Sequence, residues 1–287
     1  MSDEARYAVL IDAENVSPKY IKIIFDEVSS YGITTYRRIY GDWTSTRNNG
    51  WKGLLLENSI TPIQQYSYTE GKNSSDSAMI IDAMDILYTL SVDGFVLVSS
   101  DSDFTRLASR LRESAMNVIG MGESKTPSAF ISACNSFKYL DILYESKEEE
   151  GGETLAGEDE GSGNAETGPC SSKDPGPGKK GGSRGHEKLR PPKSKDLPQP
   201  QTKLSTIRRT LKSIIVENSD DDSWMSLANL GNQLSKRYPD FDVRNYGHRK
   251  LVDFVKSLGD FDLEARSSSE AGAKQIFIRI KTGHYQS

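Results

Sequence analysis

Between Glu145 and Lys203 the chain contains no Ile, Val, Phe, Met, Trp or Tyr, and this gap constrains the fold more than any motif does. The same stretch holds seven of the eleven prolines and a tract reading KDPGPGKKGGSRGHEKLRPPKSKDLPQPQ. Ordering one residue costs about 1–2 kcal/mol of backbone entropy, and a segment without large apolar side chains has little to bury against that cost. The expectation is a disordered linker over 146–203, acidic in its first part (ESKEEEGGE) and basic in its second. It separates a body of residues 1–145 from a smaller one of residues 204–287.

With 35% of its residues hydrophobic, the chain can build globular cores, and no apolar run reaches the 18 residues of a membrane-spanning helix. The acidic start MSDEARYAV lacks the basic and apolar regions of a signal peptide. Two cysteines, Cys134 and Cys170, are too few and too far apart for a disulfide framework or a zinc site, which points to a reduced, cytoplasmic setting. The net charge of −5 is uneven: residues 1–145 hold 13 Lys/Arg against 19 Asp/Glu, and residues 201–287 hold 14 against 11. Overall acidity therefore excludes neither a nucleic-acid partner nor a cation site, and local placement decides.

The first body alternates strands and helices. Strands are expected at Arg6–Ile11, Ile33–Tyr40, Ile60–Tyr66, Phe95–Ser99 and Asn117–Met121. Helices are expected at Pro18–Ser29, Gly50–Asn58, Ser74–Leu90, Asp103–Glu113 and Pro127–Cys134, before the apolar segment FKYLDIL. Such alternation implies an α/β fold with a mostly parallel sheet covered by helices on both faces.

Functional groups of open parallel sheets gather beyond the carboxyl ends of the strands. Asp12 follows the first strand (VLIDAEN), and Asp101 and Asp103 follow the fourth (VLVSSDSDF). On the helix SSDSAMIIDAMDIL, Asp76 shares the inward stripe with Ile80, Ala83 and Leu87, whereas Asp82 and Asp85 fall on flanks expected to face solvent. Singly, each acid has an ordinary explanation: Asp103 as a helix cap, Asp76 at a helix dipole, Asp12 in a turn. Together they bring acids from three segments to one edge, with no Lys, Arg or His in the motifs to neutralise them. A hard divalent cation, Mg²⁺ or Mn²⁺, explains the set better. Asn15, Ser75, Ser99 and Ser100 are placed to orient waters or phosphate oxygens.

These motifs resemble the NYN domain, a branch of the PIN-like nuclease superfamily that includes LabA-like proteins. The resemblance covers roughly residues 5–143 through VLIDAENV, KNSSDSAMIIDAMDIL and FVLVSSDSDFTRLASRLRE. It implies a Rossmann-like sheet and metal-dependent RNA cleavage, with Asp12, Asp76, Asp101 and Asp103 as metal ligands and Asn15 as the asparagine after the first strand. No histidine lies in this region, so a metal-free route through a His is not available.

The stretch YRRIYGDWTSTRNNGWKG interleaves Arg37, Arg38, Arg47 and Lys52 with Tyr40, Trp43 and Trp51, a pattern suited to a single strand whose phosphates are held and bases stacked. Tyr40 and Trp51 are equally good core residues, which leaves Trp43 and Arg47 as the better contacts. Lys72, Arg106 and Arg110 could reach phosphates or simply be solvated. Residues 204–287 read as three helices and two strands, a winged-helix plan. WMSLANLGNQLSKRYPDFDVRNYGHRKLVDFVKSL resembles the OST-HTH, or LOTUS, domain, which implies RNA binding, or protein binding in some members. Its exposed-looking candidates are Arg244, Tyr246, His248, Arg249 and Lys250.

The expected function is a cytoplasmic, Mg²⁺- or Mn²⁺-dependent endoribonuclease acting on single-stranded RNA, with an appended RNA-binding module. One alternative is an RNA-binding regulator on a nuclease fold without useful turnover. Another is a phosphohydrolase of the HAD type with Asp12 as nucleophile, although Glu14 stands where that chemistry expects a second Asp.

Overall fold

A computed structural model describes residues 4–65, 74–152, 199–220, 222–267 and 274–281. Lys72, the end of the expected third strand at Tyr66, and most of the expected linker lie outside the described residues, as does the side chain of Ser75.

The first domain is a six-stranded parallel sheet of β1 (Arg6–Asp12), β2 (Ile33–Gly41), β3 (Thr61–Gln64), β4 (Gly94–Val98), β5 (Asn117–Gly122) and β6 (Ser136–Tyr139). The strand order is β3-β2-β1-β4-β5-β6. The chain builds outward from β1 to β3, then returns to lay β4 on the other side of β1. That reversal opens a crevice at the carboxyl ends of β1 and β4. The register sets Ile11 opposite Val98, so Asp12 and Ser99 come next to each other at the sheet edge.

Both faces of the sheet are buried because the strands carry apolar residues at consecutive positions. Ala8, Leu10, Phe95, Leu97 and Val118 face one layer, with α3 (Ser74–Tyr88), α4 (Thr105–Glu113) and α5 (Ser128–Ala133). Val9, Ile11, Val96, Val98 and Ile119 face the other, with α1 (Ile21–Ser29), α2 (Asn49–Glu57) and α6 (Leu140–Gly152). By this alternation Asp12 and Ser99 fall on the α3 side, the side from which Asp76 arrives. Pro18 opens a 3-10 turn (Pro18–Tyr20) ahead of α1, where its missing N–H costs nothing.

The smaller domain packs α7 (Leu204–Asn218), α8 (Leu227–Arg237) and α9 (Leu251–Leu258) on an antiparallel sheet ordered β7-β9-β8, formed by Met225–Ser226, Lys274–Ile280 and Phe261–Ser267. Gly247 takes a left-handed φ of 77° and closes the 3-10 turn Val243–Tyr246, so α9 begins only at Leu251. The boundaries of the apolar-poor stretch also move. α6 continues to Gly152, and Gln201 and Thr202 make hydrogen bonds to the body of the protein. The described residues up to Glu148 and from Gln199 onward form one compact unit.

Candidate metal centre

Asp12 ends β1 with 1% of its surface exposed. One carboxylate oxygen accepts the backbone N–H of Glu14 (3.0 Å) and of Asn15 (3.3 Å); the other accepts Asn15 Nδ2 and Ser99 Oγ, both at 2.8 Å. A carboxylate offers about four lone-pair sites, so these four donors saturate it. Burial raises its pKa, and the same hydrogen bonds pull it back down. Ser99 is itself fully buried, and its Oγ also accepts the N–H of Asp101 at 3.0 Å, which ties the end of β4 to the end of β1.

Asp101 is the residue that caps the turn after β4: its side chain accepts the N–H of Asp103 at 2.9 Å, with an extended backbone at φ −90°. The cap expected of Asp103 thus belongs to Asp101. On α3, Asp76 is 6% exposed in the first turn, on one stripe with Met79, Ala83, Ile86 and Leu87. Carboxylate oxygens from Asp76, Asp101 and Asp103 all lie within 4.8 Å of one another, the group of acids among the described residues that can hold a metal ion. Asp76 has its pKa pushed up to about 7, first by burial and then by the charges of Asp12, Asp101, Asp103 and Glu14. Three hard oxygen donors with no nitrogen or sulfur among them suit Mg²⁺ or Mn²⁺. Asp12 stands beside this group without belonging to it.

Residues 6–141 match the NYN domain family, and residues 202–271 match the OST-HTH/LOTUS domain family. The chain joins an NYN domain to an OST-HTH/LOTUS domain. NYN domains belong to the PIN-like nuclease superfamily and OST-HTH/LOTUS domains bind RNA, so the pairing indicates an RNA-related nuclease function. No curated protein matches the sequence. A crystal structure of a protein of unknown function from Vibrio parahaemolyticus is 18% identical, with a TM-score of 0.42, over 49% of this chain and 96% of its own. A solution structure of an uncharacterized protein from Nitrosomonas europaea is 31% identical over 36% of this chain and 98% of its own, with a TM-score of 0.27. Among the described residues no helix is long and apolar enough to cross a membrane.

The basic and aromatic residues of the NYN domain divide into two groups. Arg38 pairs with Asp82 and lies over the ring of Tyr36, and Tyr40 donates to the same Asp82 at 2.5 Å. Asp82 is therefore an internal partner and not the solvated acid the helical period suggests. Arg37 stacks on Phe25 and donates to the carbonyl of Asn58 at 3.0 Å. Trp43 packs against the core with Nε1 donating to the carbonyl of Ile63 at 3.0 Å. Trp51 and Tyr40 are buried. Arg47, Lys52 and Arg106 are exposed, as are Arg249 and Lys250 of the OST-HTH/LOTUS domain. Arg244 is engaged by two carboxylates: Glu27 at 2.5 and 2.8 Å, and Asp242 at 2.7 and 3.0 Å. Sequence reasoning missed Glu27, Lys138, Asp240 and Asp242 altogether; a charged Lys138 inside the apolar run FKYL was the one available signal.

Proposed function

We propose that this protein is a metal-dependent endoribonuclease that hydrolyses phosphodiester bonds of single-stranded RNA, with the OST-HTH/LOTUS domain contributing RNA binding. The observation that carries the reading is the convergence of Asp76, Asp101 and Asp103 at the crevice between β1 and β4. These three would hold Mg²⁺ or Mn²⁺. Such an ion, when bound, polarises a phosphodiester oxygen and lowers the pKa of the water that attacks it.

Asp12 acts on this site as a positioning residue. It fixes Asn15 through Nδ2 and draws the Ser99 hydroxyl toward β1, and through Ser99 it holds the backbone of Asp101 in place. The exposed cations Arg47, Lys52 and Arg106, with Arg249 and Lys250, are the groups that would meet RNA phosphates. Asp12 as a phosphoryl-accepting nucleophile is disfavoured, because both of its oxygens are saturated and buried. A cytoplasmic setting accompanies the reading, in keeping with the free, buried Cys134.

The test is incubation of the purified protein with end-labelled single-stranded RNA, with Mg²⁺, with Mn²⁺ and with EDTA. Metal-dependent internal cleavage, abolished in Asp101→Asn, is the expected result. Binding without cleavage in either metal would replace the enzyme with an RNA-binding regulator, and turnover of phosphomonoesters but not RNA would restore the phosphohydrolase.

A further inference from the structure

The OST-HTH/LOTUS domain meets the NYN domain along its edge strand. The backbone N–H of Phe137 in β6 donates to the carbonyl of Pro239 at 2.8 Å, so the unpaired side of the sheet is covered by the segment that follows α8. Tyr139 donates its hydroxyl to Asp240 at 3.1 Å. Asp240 is 3% exposed, and Thr202 holds its other oxygen at 2.7 Å. Lys138 reaches Asp242 at 2.6 Å with only 15% and 10% of their side chains exposed. Arg244 then extends from Asp242 to Glu27 on α1. Burial pushes the Asp242 carboxyl up, but Arg244 and Lys138 overcome it and hold its pKa below the usual carboxylate range.

Lys138, Asp242, Arg244 and Glu27 alternate in charge along this contact, and among the described residues no buried side-chain nitrogen or oxygen lacks a partner. Ion pairs that are buried and fully partnered define one geometry and penalise others, because a shift by one position would strand a charge. Free surface charges make no such demand, and neither does a module that merely hangs on a linker.

The seat also touches the loop behind the metal site. Gln201 donates through Nε2 to the carbonyl of Thr126, in the turn between β5 and α5. The same turn backs onto the carboxylate loop: the N–H of Glu123 donates to Ser100 Oγ at 2.9 Å. Gly122 leaves so little room that a Cβ there would lie 2.6 Å from the carbonyl oxygen of Ser99. A continuous line of contact thus runs from the OST-HTH/LOTUS domain to the residues between β4 and Asp101.

We propose that the OST-HTH/LOTUS domain works from a fixed seat on β6 and α1 of the NYN domain, anchored by Arg244, and that this seat braces the loop carrying Asp101 and Asp103. Arg244 is then an intramolecular anchor and not an RNA contact.

Amide hydrogen exchange of the full-length protein tests this without reference to cleavage. In the wild type, Phe137 and Glu123 should both be protected. Glu27→Arg puts a cation against Arg244 and should speed exchange at both amides by at least about tenfold while the β1 and β4 amides stay as they were. Asp26→Asn, on the same helix and in an exposed pair with Lys147, should change neither. If Glu27→Arg also loosens β1 and β4, the milder Glu27→Gln decides. An unprotected Phe137 in the wild type, or protection unchanged in both Glu27 variants, would overturn the seat. Faster exchange at Phe137 with Glu123 unaffected would overturn the bracing.

Discussion

Replacing Asp76 with asparagine should stabilise the metal-free protein at alkaline pH, the reverse of what removing a buried, ordinary polar contact does. The folded protein lifts the Asp76 pKa from the ordinary 3.8 to about 7, first through burial and then through four neighbouring acids. Below pH 4 the group is neutral in both folded and unfolded chains and costs nothing. Between about pH 4 and pH 7 the folded chain binds a proton that the unfolded chain has lost, so stability falls as pH rises; above 7 the full cost is present. A lift of that size corresponds to roughly 4 kcal/mol. Asp103 is exposed and Asp101 only half buried, so solvent screening reduces this to about 2 kcal/mol. For a folded unit of this size that is roughly 4–8 °C in melting temperature. The assay is calorimetry in EDTA at pH 8, 6 and 4.5, comparing the two proteins pair by pair so that other titrating groups cancel. Asp76→Asn should melt higher at pH 8 and lose its advantage steadily toward pH 4. Added Mg²⁺ should raise the melting temperature of the wild type and not of the variant. Equal melting at pH 8, or a gain that ignores pH, would refute the shared-site electrostatics.

Asp101→Asn should lower RNA cleavage by orders of magnitude with RNA affinity retained in a gel-shift assay, and Asp85→Asn, on an exposed position of α3, should leave both unchanged. Arg38→Ala leaves Asp82 with Tyr40 as its remaining partner; it should cost about 1–3 kcal/mol in denaturant unfolding and change RNA affinity little, whereas a phosphate contact would show the opposite pattern. Gly122→Ala places a methyl group 2.6 Å from the Ser99 carbonyl and 2.7 Å from Thr126 Oγ1, so it should lower the melting temperature and weaken Mg²⁺ binding together, measured by titration calorimetry.

The elements of the NYN domain were legible because their signals are local. RYAVLI and FVLVSS are buried on both faces, which forces a covered parallel sheet, and the acids that follow them are then committed to one edge whatever the details. The strand order was not legible. β1 and β4 are 87 residues apart at their hydrogen-bonded ends, and only the register of Ile11 on Val98 turns two terminal acids into neighbours. β6 is legible only as part of the apolar segment FKYLDIL; its strand character comes from pairing with β5 and from the cover over its other edge.

What sequence pattern could not separate is a charge that faces a partner from a charge that faces water. Arg244 and Lys250 look alike in VRNYGHRK, yet Arg244 finds Glu27 at a separation of 217 residues while Lys250 lies exposed on the surface. Arg38 and Arg47 differ in the same way within YRRIYGDWTSTR: one has Asp82 behind it, and the other stands exposed in the turn before α2. The acids repeat the lesson at the centre of the site. Asp12 is expected from the sequence as a metal ligand and Asn15 and Ser99 as polar residues beside it; the geometry links the three, with the side chains of Asn15 and Ser99 and two backbone N–H groups all donating to Asp12. The three carboxylates grouped beside it, Asp76, Asp101 and Asp103, lie within 4.8 Å of one another, and burial followed by the charge of the neighbouring acids raises the Asp76 pKa. A fold that saturates one acid with hydrogen bonds and gathers three further carboxylates beside it concentrates negative charge where a cation would be stabilised most.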